Sequence, residues 1–255
     1  LLKLAKMLQE WPEAKDNYLI VFFSGEEMGL LGSNYFAKNP TLDLDQVAYM
    51  INLDMVGRLR EEKTLSVSGT GTTPVWSQML NSLNPGFELV LSESGVGPSD
   101  HTSFYLQDIP VLHFFTGQHE DYHKPSDDAA KLNYEGMEEI ASYIFELNKA
   151  MEMQDEIAFR KTKNESEEVP RFKVAMGVIP DYLFSGEGMR IDGVSEDKPA
   201  QKAGLKKGDV VVQLGDSTVV DMMSYMRALS VFETGDSTTV VVERKGDKIA
   251  AKITF

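Results

Sequence analysis

Short apolar runs alternate with amphipathic segments over the first 153 residues of the chain. The apolar runs are too short for typical helices and are bounded by polar or glycine residues, whereas the amphipathic segments place apolar residues at helical spacing. The predicted strands are 18–23, 47–53, 64–68, 87–91 and 109–115, and the predicted helices are 1–9, 29–38, 73–83 and 133–153. Because such alternation builds a sheet covered on both faces, we predict an α/β domain whose mixed, mostly parallel sheet is sandwiched by helices.

The pattern changes after residue 153. Residues 154–170 are charged and poor in apolar side chains, which is typical of a linker. From residue 171 onward, short strand-like runs are separated by glycine-rich turns, and the runs 240–244 and 248–255 predict a closing hairpin. We therefore predict a first domain over 1–153, a charged linker over 154–170 and a small β-rich domain over 171–255.

Composition narrows the classes of partner and of metal ligand. The 255 residues carry a formal net charge of -15, and 42% of them are hydrophobic. The apolar content suffices for globular cores, and the negative charge argues against nucleic acids and anionic membranes as partners. No apolar run approaches the ~18 residues of a membrane span. Since the chain has no cysteine, candidate metal ligands are histidine, aspartate and glutamate.

Acidic residues follow two of the predicted strands. Glu26 and Glu27 come after the strand 18–23, and Asp54 follows the strand 47–53. Carboxyl ends of strands are where open α/β sheets place their chemistry, and neighbouring carboxylates resist desolvation unless a cation compensates them. The pattern suggests a metal site, although a glutamate pair is also typical of a first helical turn and an aspartate is a common turn residue.

Two histidines lie in the loop after the strand 109–115. His119 and His123 are four residues apart, a spacing that on a helix would present both rings to one zinc ion. Gly117 before the pair and Pro125 after it argue against a continuous helix, so we reject that interpretation. His119 is then interpreted as a loop or substrate-facing residue.

A third histidine follows the stretch Gly97-Pro98-Ser99-Asp100. Ser99 or Asp100 is a candidate cap for the helix that comes next. His101 itself has three interpretations: a metal ligand, a hydrogen-bond donor behind a ligand, or a packed histidine.

Residues 23–33, with the sequence FSGEEMGLLGS, resemble the glutamate-pair motif of the zinc-dependent aminopeptidases related to bacterial leucyl aminopeptidase. The resemblance implies that Glu26 is the general base and Glu27 a zinc ligand. It extends to Asn52-Leu53-Asp54, which implies Asp54 as a ligand, and to Tyr122-His123 with the following proline and aspartate, which implies His123 as a ligand. The implied reaction is hydrolysis of the N-terminal residue of a peptide at a site with two Zn2+ ions.

Three further residues are expected to support these ligands. Asp127 is predicted to orient the ring of His123 as a hydrogen-bond acceptor, as is usual for ligating imidazoles. The resemblance implies that Asp100 and His101 are supporting structure rather than ligands.

Residues 199–214 resemble the corresponding segment of PDZ domains of the bacterial protease type, and the match extends over 171–255. The resemblance implies that Met176, Gly177, Val178 and Ile179 form the loop that holds a peptide carboxylate. The helix 221–231 would form the other wall of the groove. The expected partner is a C-terminal peptide added as a strand. The alternative is a domain that packs on its enzyme and binds no peptide.

The chain also departs from the aminopeptidase pattern. The family uses five protein ligands, and two of them, a histidine in a His-x-Asp motif and a bridging aspartate, would lie upstream of the first helix. We therefore expect the full-length protein to be an active aminopeptidase and this chain alone to be metal-poor and inactive. Two alternatives are a glutaminyl-cyclase-like acyltransferase with one zinc ion and a non-catalytic peptide-binding protein with a degenerate peptidase domain.

The chain begins without methionine, inside the predicted first helix. We expect upstream sequence, including any targeting peptide, to be missing. The resemblance implies a periplasmic or extracellular location.

Overall fold

The computed structural model describes residues 1–162, 173–181, 184 and 186–255. The described residues fall into two compact units. The first comprises residues 1–117 and 123–162, and the second comprises residues 118–122 together with the described residues from 173 to 255.

The first unit contains a four-stranded mixed sheet in the order β1-β4-β2-β3. Its strands are β1 (Met50–Leu53), β2 (Thr64–Ser68), β3 (Glu88–Ser92) and β4 (Val111–Phe115). The pairs β1/β4 and β2/β3 are parallel, and β2/β4 is antiparallel. The predicted α/β class and the mixed sheet are confirmed.

Helices cover both faces of this sheet. They are α1 (Leu2–Gln9), α2 (Leu31–Lys38), α3 (Trp76–Leu83), α4 (His101–Tyr105) and α5 (Tyr134–Met151), with short 3-10 turns at Glu26–Met28, Leu44–Gln46 and Ala129–Lys131. Leu112 and Phe114 of β4 join the apolar core shared with α1, α3 and α5. His113 between them stacks on His101 of α4. Since successive strand residues point to opposite faces, α4 lies opposite the main core.

The predicted strand at 18–23 is wrong. This segment is not a strand in the structure, and the edge strand β1 pairs only with β4 among the described strands. Leu19 is 60% exposed and Phe22 68% exposed, while Tyr18 and Ile20 pack against the core. An apolar run indicates burial of some side chains, but a strand also needs a hydrogen-bonding partner, and the run itself does not reveal one.

The charged segment after α5 is partly outside the described residues, since 163–170 are not described. Its described part belongs to the first unit and is bonded to other segments of it. The backbone N–H of Arg160 donates to the carbonyl of Thr72 at 2.7 Å, and the N–H of Thr162 donates to the hydroxyl of Tyr105 at 3.0 Å. The limits of a linker between the domains stay a prediction.

The second unit is a small antiparallel β domain. Its strands are β5 (Val178–Pro180), β6 (Met189–Val194), β7 (Val210–Leu214), β8 (Ser217–Thr218), β9 (Ser237–Arg244) and β10 (Asp247–Thr254), and its helices are α6 (Pro199–Lys202) and α7 (Met222–Ser230). The main sheet has the order β10-β9-β7-β6-β5, with β8 paired to β7. The two-residue turn between β9 and β10 has positive φ at Lys245 and Gly246, as the tight hairpin turn requires.

One buried ion pair fastens the second unit. Arg244 donates to both carboxylate oxygens of Asp209, at 2.6 and 2.7 Å, and Asp209 also accepts the N–H of Lys206 at 2.8 Å. Burial alone would raise the pKa of Asp209, but these bonds outweigh it and hold the pKa below 3.8.

Among the described residues, no helix has the length and apolar character needed to cross a membrane.

Candidate active site

The glutamate pair stands on a tight turn rather than in a regular helix. Gly25 and Gly29 flank the 3-10 turn with φ of 69° and 98°, and Leu30 also has a positive φ of 57°. The helix α2 therefore begins at Leu31, two residues later than the sequence predicts. A Cβ atom on Gly32 would lie 2.5 Å from a backbone oxygen, so only glycine allows this close return of the chain.

Two of the three predicted ligands meet at this turn. The Nε2 atom of His123 lies 3.2 Å from Oε2 of Glu27. The side chains are 51% and 64% exposed, respectively, so both are accessible from solvent. His123 has a positive φ of 56°, an uncommon conformation for a residue other than glycine. The loop conformation thus brings an imidazole that is distant in sequence to the end of the glutamate turn.

The third predicted ligand, Asp54, lies directly after β1, with its backbone N–H bonded to the carbonyl of Phe114 at 3.1 Å. Its Oδ2 atom accepts the hydroxyl of Ser99 at 2.8 Å and lies 4.0 Å from Nε2 of His113. The prediction that Ser99 or Asp100 caps the next helix is wrong, because neither side chain makes a capping bond to α4. The hydroxyl of Ser99 is engaged by Asp54 instead.

Glu26 lies in an acidic and half-buried environment. Burial raises its pKa from 4.5 to about 8, and the charges of Asp54, Glu27 and Asp100 add to this rise. Burial also raises the pKa of Asp100, although a hydrogen bond with Ser33 opposes the change. A pKa near neutrality allows a carboxyl group to change its protonation state at the pH at which most enzymes work.

His101 and His113 form a stacked pair behind Asp54. Their ring centroids are 4.6 Å apart, and the planes differ by 14°. Burial lowers the pKa of both rings, that of His113 to about 4, so both are neutral at physiological pH. Both ring nitrogens of His101 are buried without a hydrogen-bond partner among the described residues. No motif assigns a role to His113, although it is the single polar residue of β4.

Asp127 forms an ion pair with Arg58, whose Nη2 atom donates to Oδ1 of Asp127. This bond joins the loop after β4 to the loop after β1. Further bonds join these loops, from the hydroxyl of Thr116 to the carbonyl of Met55 and from the backbone N–H and side-chain amide of Asn133 to the carbonyls of Gly57 and Leu59 at 2.9 and 2.8 Å. Arg58 belongs to none of the predicted motifs, and the orientation of His123 by Asp127 stays a prediction.

The residues present fit zinc in chemical type, and the Glu27/His123 pair also fits in spacing. Two ligand atoms of one tetrahedral zinc ion, each about 2.0–2.2 Å from the metal, lie about 3.3 Å apart. The separation of 3.2 Å between Oε2 of Glu27 and Nε2 of His123 agrees with this value. In the described part of the chain, no group of three or more such side chains is placed to hold a metal ion.

In the second unit, the four predicted peptide-loop residues lead into the edge strand β5. Met176 is buried, and Gly177 has a φ of 76°. The carbonyls of these two residues accept the N–H groups of Ala200 and Ser195, each at 2.8 Å. Val178 and Ile179 belong to β5, which ends the sheet order and pairs with β6. An edge strand of this kind is where PDZ domains add a peptide.

The comparisons agree with this architecture. Residues 1–148 match the model of Peptidase family M28, and residues 153–255 match the model of the PDZ domain. The first match covers more than half of the chain, so this chain belongs to Peptidase family M28 and carries a PDZ domain after the peptidase domain. The zinc aminopeptidase family and the PDZ domain predicted from the motifs are confirmed.

Individual relatives cover parts of the chain. The serine protease Do-like HtrB of Bacillus subtilis is 36% identical over 72 residues, which are 28% of this chain and 15% of that protein. The aminopeptidase of Aneurinibacillus sp. strain AM-1 is 24% identical, with a TM-score of 0.42, over 60% of this chain and 35% of that one. LapA of Legionella pneumophila is 21% identical, with a TM-score of 0.46, over 55% of this chain and 43% of that one. The chain thus spans less than half the length of each of these relatives.

Proposed function

We propose that the first domain is the catalytic domain of a zinc-dependent aminopeptidase that hydrolyses the N-terminal residue of peptides. The observation that carries the proposal is the 3.2 Å separation of Glu27 and His123, directly beside Glu26. An imidazole and a carboxylate are typical zinc ligands, and the neighbouring glutamate stays available as a base.

The three predicted ligands would serve two different zinc ions. Glu27 and His123 would share one zinc ion, since their ligand atoms are already at the spacing of a common metal. Asp54, which contacts Ser99 and lies near His113, would serve the second ion. Zinc bound by these residues would polarise the scissile carbonyl and favour deprotonation of water at neutral pH.

Glu26 would move the proton. Its carboxylate would accept a proton from the attacking water and return it to the leaving amine. The pKa of about 8 describes the metal-free site, where burial and three neighbouring acids favour the protonated form. Nearby cations would favour the ionised carboxylate and bring Glu26 into the basic form that the reaction needs.

We also propose that this chain by itself has little activity, because no described group of three ligands is assembled. The test measures bound zinc by mass spectrometry and release of nitroaniline from aminoacyl-nitroanilides. The same assays are applied to a version extended at its N terminus to supply the two further ligands that the resemblance implies. We expect about two zinc ions and turnover only in the extended protein. Turnover by the present chain would contradict its inactivity, and absence of metal and turnover from both would favour a non-catalytic binding protein.

For the second domain, we propose capture of peptide C termini along β5, with the loop 176–179 receiving the carboxylate. The position of β5 at the sheet edge supports this role. Titration with labelled peptides, free or amidated at the C terminus, tests it, since amidation removes the charge that the loop would bind.

We further propose a periplasmic or extracellular location on the basis of the family resemblance, which fractionation of the native cells tests.

A further inference from the structure

The Asn-Leu-Asp motif contains a second polar residue, Asn52, to which the proposed function assigns no task. Asn52 lies within β1 and is only 9% exposed. A buried side-chain amide is costly unless its polar atoms are hydrogen-bonded. The Nδ2 atom of Asn52 donates to the hydroxyl oxygen of Ser99 at 2.7 Å. The partner of this amide is thus the same serine that contacts Asp54.

Asn52, Ser99 and Asp54 are connected by two hydrogen bonds, and the direction of each bond is fixed. Ser99 is 2% exposed, and its hydroxyl has one proton to donate. An ionised Asp54 can only accept, so the proton of Ser99 points to its Oδ2 atom at 2.8 Å. The hydroxyl oxygen is left as an acceptor, and the amide N–H of Asn52 fills that position. Without this donor, the hydroxyl would be restrained only by its own bond to Asp54.

Asp54 is therefore held by two independent constraints. Its backbone N–H continues the β1/β4 ladder by bonding to the carbonyl of Phe114 at 3.1 Å. Its carboxylate is held through Oδ2 by Ser99, which leaves Oδ1 for a cation.

We propose that Asn52 is a positioning residue that orients the carboxylate of Asp54 for zinc by fixing the hydroxyl of Ser99. This inference rests on the proposed role of Asp54 as a zinc ligand. The hydrogen bonds of Ser99 connect the motif at 52–54 with the motif at 97–104. Groups that bond directly to a metal ligand, as Ser99 does to Asp54, typically change metal affinity by about 10–100-fold when they are removed.

The zinc test uses the N-terminally extended version, in which Asp54 would have its partner ligands, and the variants Asn52→Leu, Ser99→Ala and the double variant of that protein. Zn2+ affinity is measured by competition with a chelating dye. We expect each single variant to bind Zn2+ about tenfold more weakly and the double variant to be no weaker than either, because the two residues act as one unit. Asn148→Leu is the matched control, since it removes another buried amide, one that bonds to Tyr49 in a different part of the domain. It should leave Zn2+ affinity unchanged.

A second measurement needs no metal. In a mixture of H2O and D2O, the Cβ carbon of a serine whose hydroxyl exchanges slowly gives two NMR signals. We expect two signals for Ser99 in the parent chain and in Asn148→Leu, and one averaged signal in Asn52→Leu. Two persisting signals in Asn52→Leu would overturn the inference, as would additive losses of Zn2+ affinity in the double variant or unchanged affinity in Asn52→Leu.

The ligand role of Asp54 and the positioning role of Asn52 can be refuted separately. If Asp54→Ala leaves Zn2+ affinity unchanged, the proposed ligand role of Asp54 is overturned. Loss of the second Ser99 signal in Asn52→Leu would then still support the orientation of the hydroxyl by Asn52.

Discussion

Replacement of Glu26 by glutamine should stabilise the metal-free chain at alkaline pH while removing the proposed base. Glutamine has nearly the shape of a protonated glutamate but cannot ionise. In the folded chain, burial and the neighbouring carboxylates Asp54, Glu27 and Asp100 raise the pKa of Glu26 to about 8. Folding therefore disfavours the charged form of Glu26, and the uncharged glutamine avoids this cost.

The sign and size of the effect follow from proton linkage. Between pH 4.5 and about 8 the folded chain binds more protons at Glu26 than the unfolded chain, so this group lowers stability as pH rises through that window. The penalty is absent below pH 4.5 and complete above pH 8. The rise in pKa sets a ceiling of about 5 kcal/mol. Because Glu26 is only half-buried, solvent screening reduces this, and we expect about 1–3 kcal/mol.

The assay is urea unfolding in the presence of EDTA at pH 5 and at pH 8.5. The chain has two tryptophans, Trp11 and Trp76, and both lie in the first unit, so their fluorescence reports unfolding of the domain that contains Glu26. The free energy of unfolding of Glu26→Gln should nearly equal that of the parent chain at pH 5 and exceed it by about 1–3 kcal/mol at pH 8.5. Glu62→Gln, which removes an exposed acid, is the matched control and should show no such pH dependence.

Equal free energies of unfolding for Glu26→Gln and the parent chain at both pH values would contradict the raised pKa of Glu26, which requires a difference at pH 8.5. A gain in the free energy of unfolding that is the same at pH 5 and pH 8.5 would also contradict the raised pKa, since such a gain would not come from the ionisation of Glu26. In the N-terminally extended protein loaded with zinc, the same variant should lose aminopeptidase activity.

Three further substitutions test other parts of the structure. Gly32→Ala should lower the free energy of unfolding by about 1–3 kcal/mol in tryptophan fluorescence, because the new Cβ atom would clash with the backbone of Ser24. Gly177→Ala should weaken binding of C-terminal peptides about tenfold in fluorescence anisotropy, because the φ of 76° disfavours alanine. Asp209→Asn should destabilise the second unit by about 2 kcal/mol, seen as faster hydrogen exchange in β7 and β9. The stabilisation by Asp209 and Arg244 is present above pH 3.8 and should be lost as pH falls through the lowered pKa.

The sequence predicted the parts of the site that depend on strand ends and short motifs. Asp54 follows β1 and His123 lies in the loop after β4, so periodicity and motif predicted that both residues follow strands, and these two strands pair with each other. Glu27 follows the run 18–23, which is not a strand, so only the motif related it to His123. The hairpin of the second unit was also predictable, because Lys245 and Gly246 have the chemistry of a tight turn.

The connections between distant segments were not predictable. The bond from Asn52 to Ser99 joins residues 47 positions apart, and the pair Arg58 and Asp127 joins residues 69 apart. Each side chain in isolation is typical of a turn or a surface. Its partner is decided by how strands and loops pack, which local patterns do not contain. The same limit explains the wrong prediction of a strand at 18–23, where the apolar pattern is present and the pairing is absent among the described strands.

Asp209, which is buried, and Glu26, which is half-buried, show why the acidic cluster of Glu26, Glu27, Asp54 and Asp100 is better explained by function than by stability. Asp209 is buried against Arg244, and its pKa is lowered, so its charge supports the fold. Burial raises the pKa of Glu26 instead, and the charges around it are further acids, so its charge opposes the fold. A site that only served packing would be more stable with a neutral side chain at Glu26. A cation between these acids would reverse the balance, and a fold that retains their repulsion in its absence is typical of a site built to bind one.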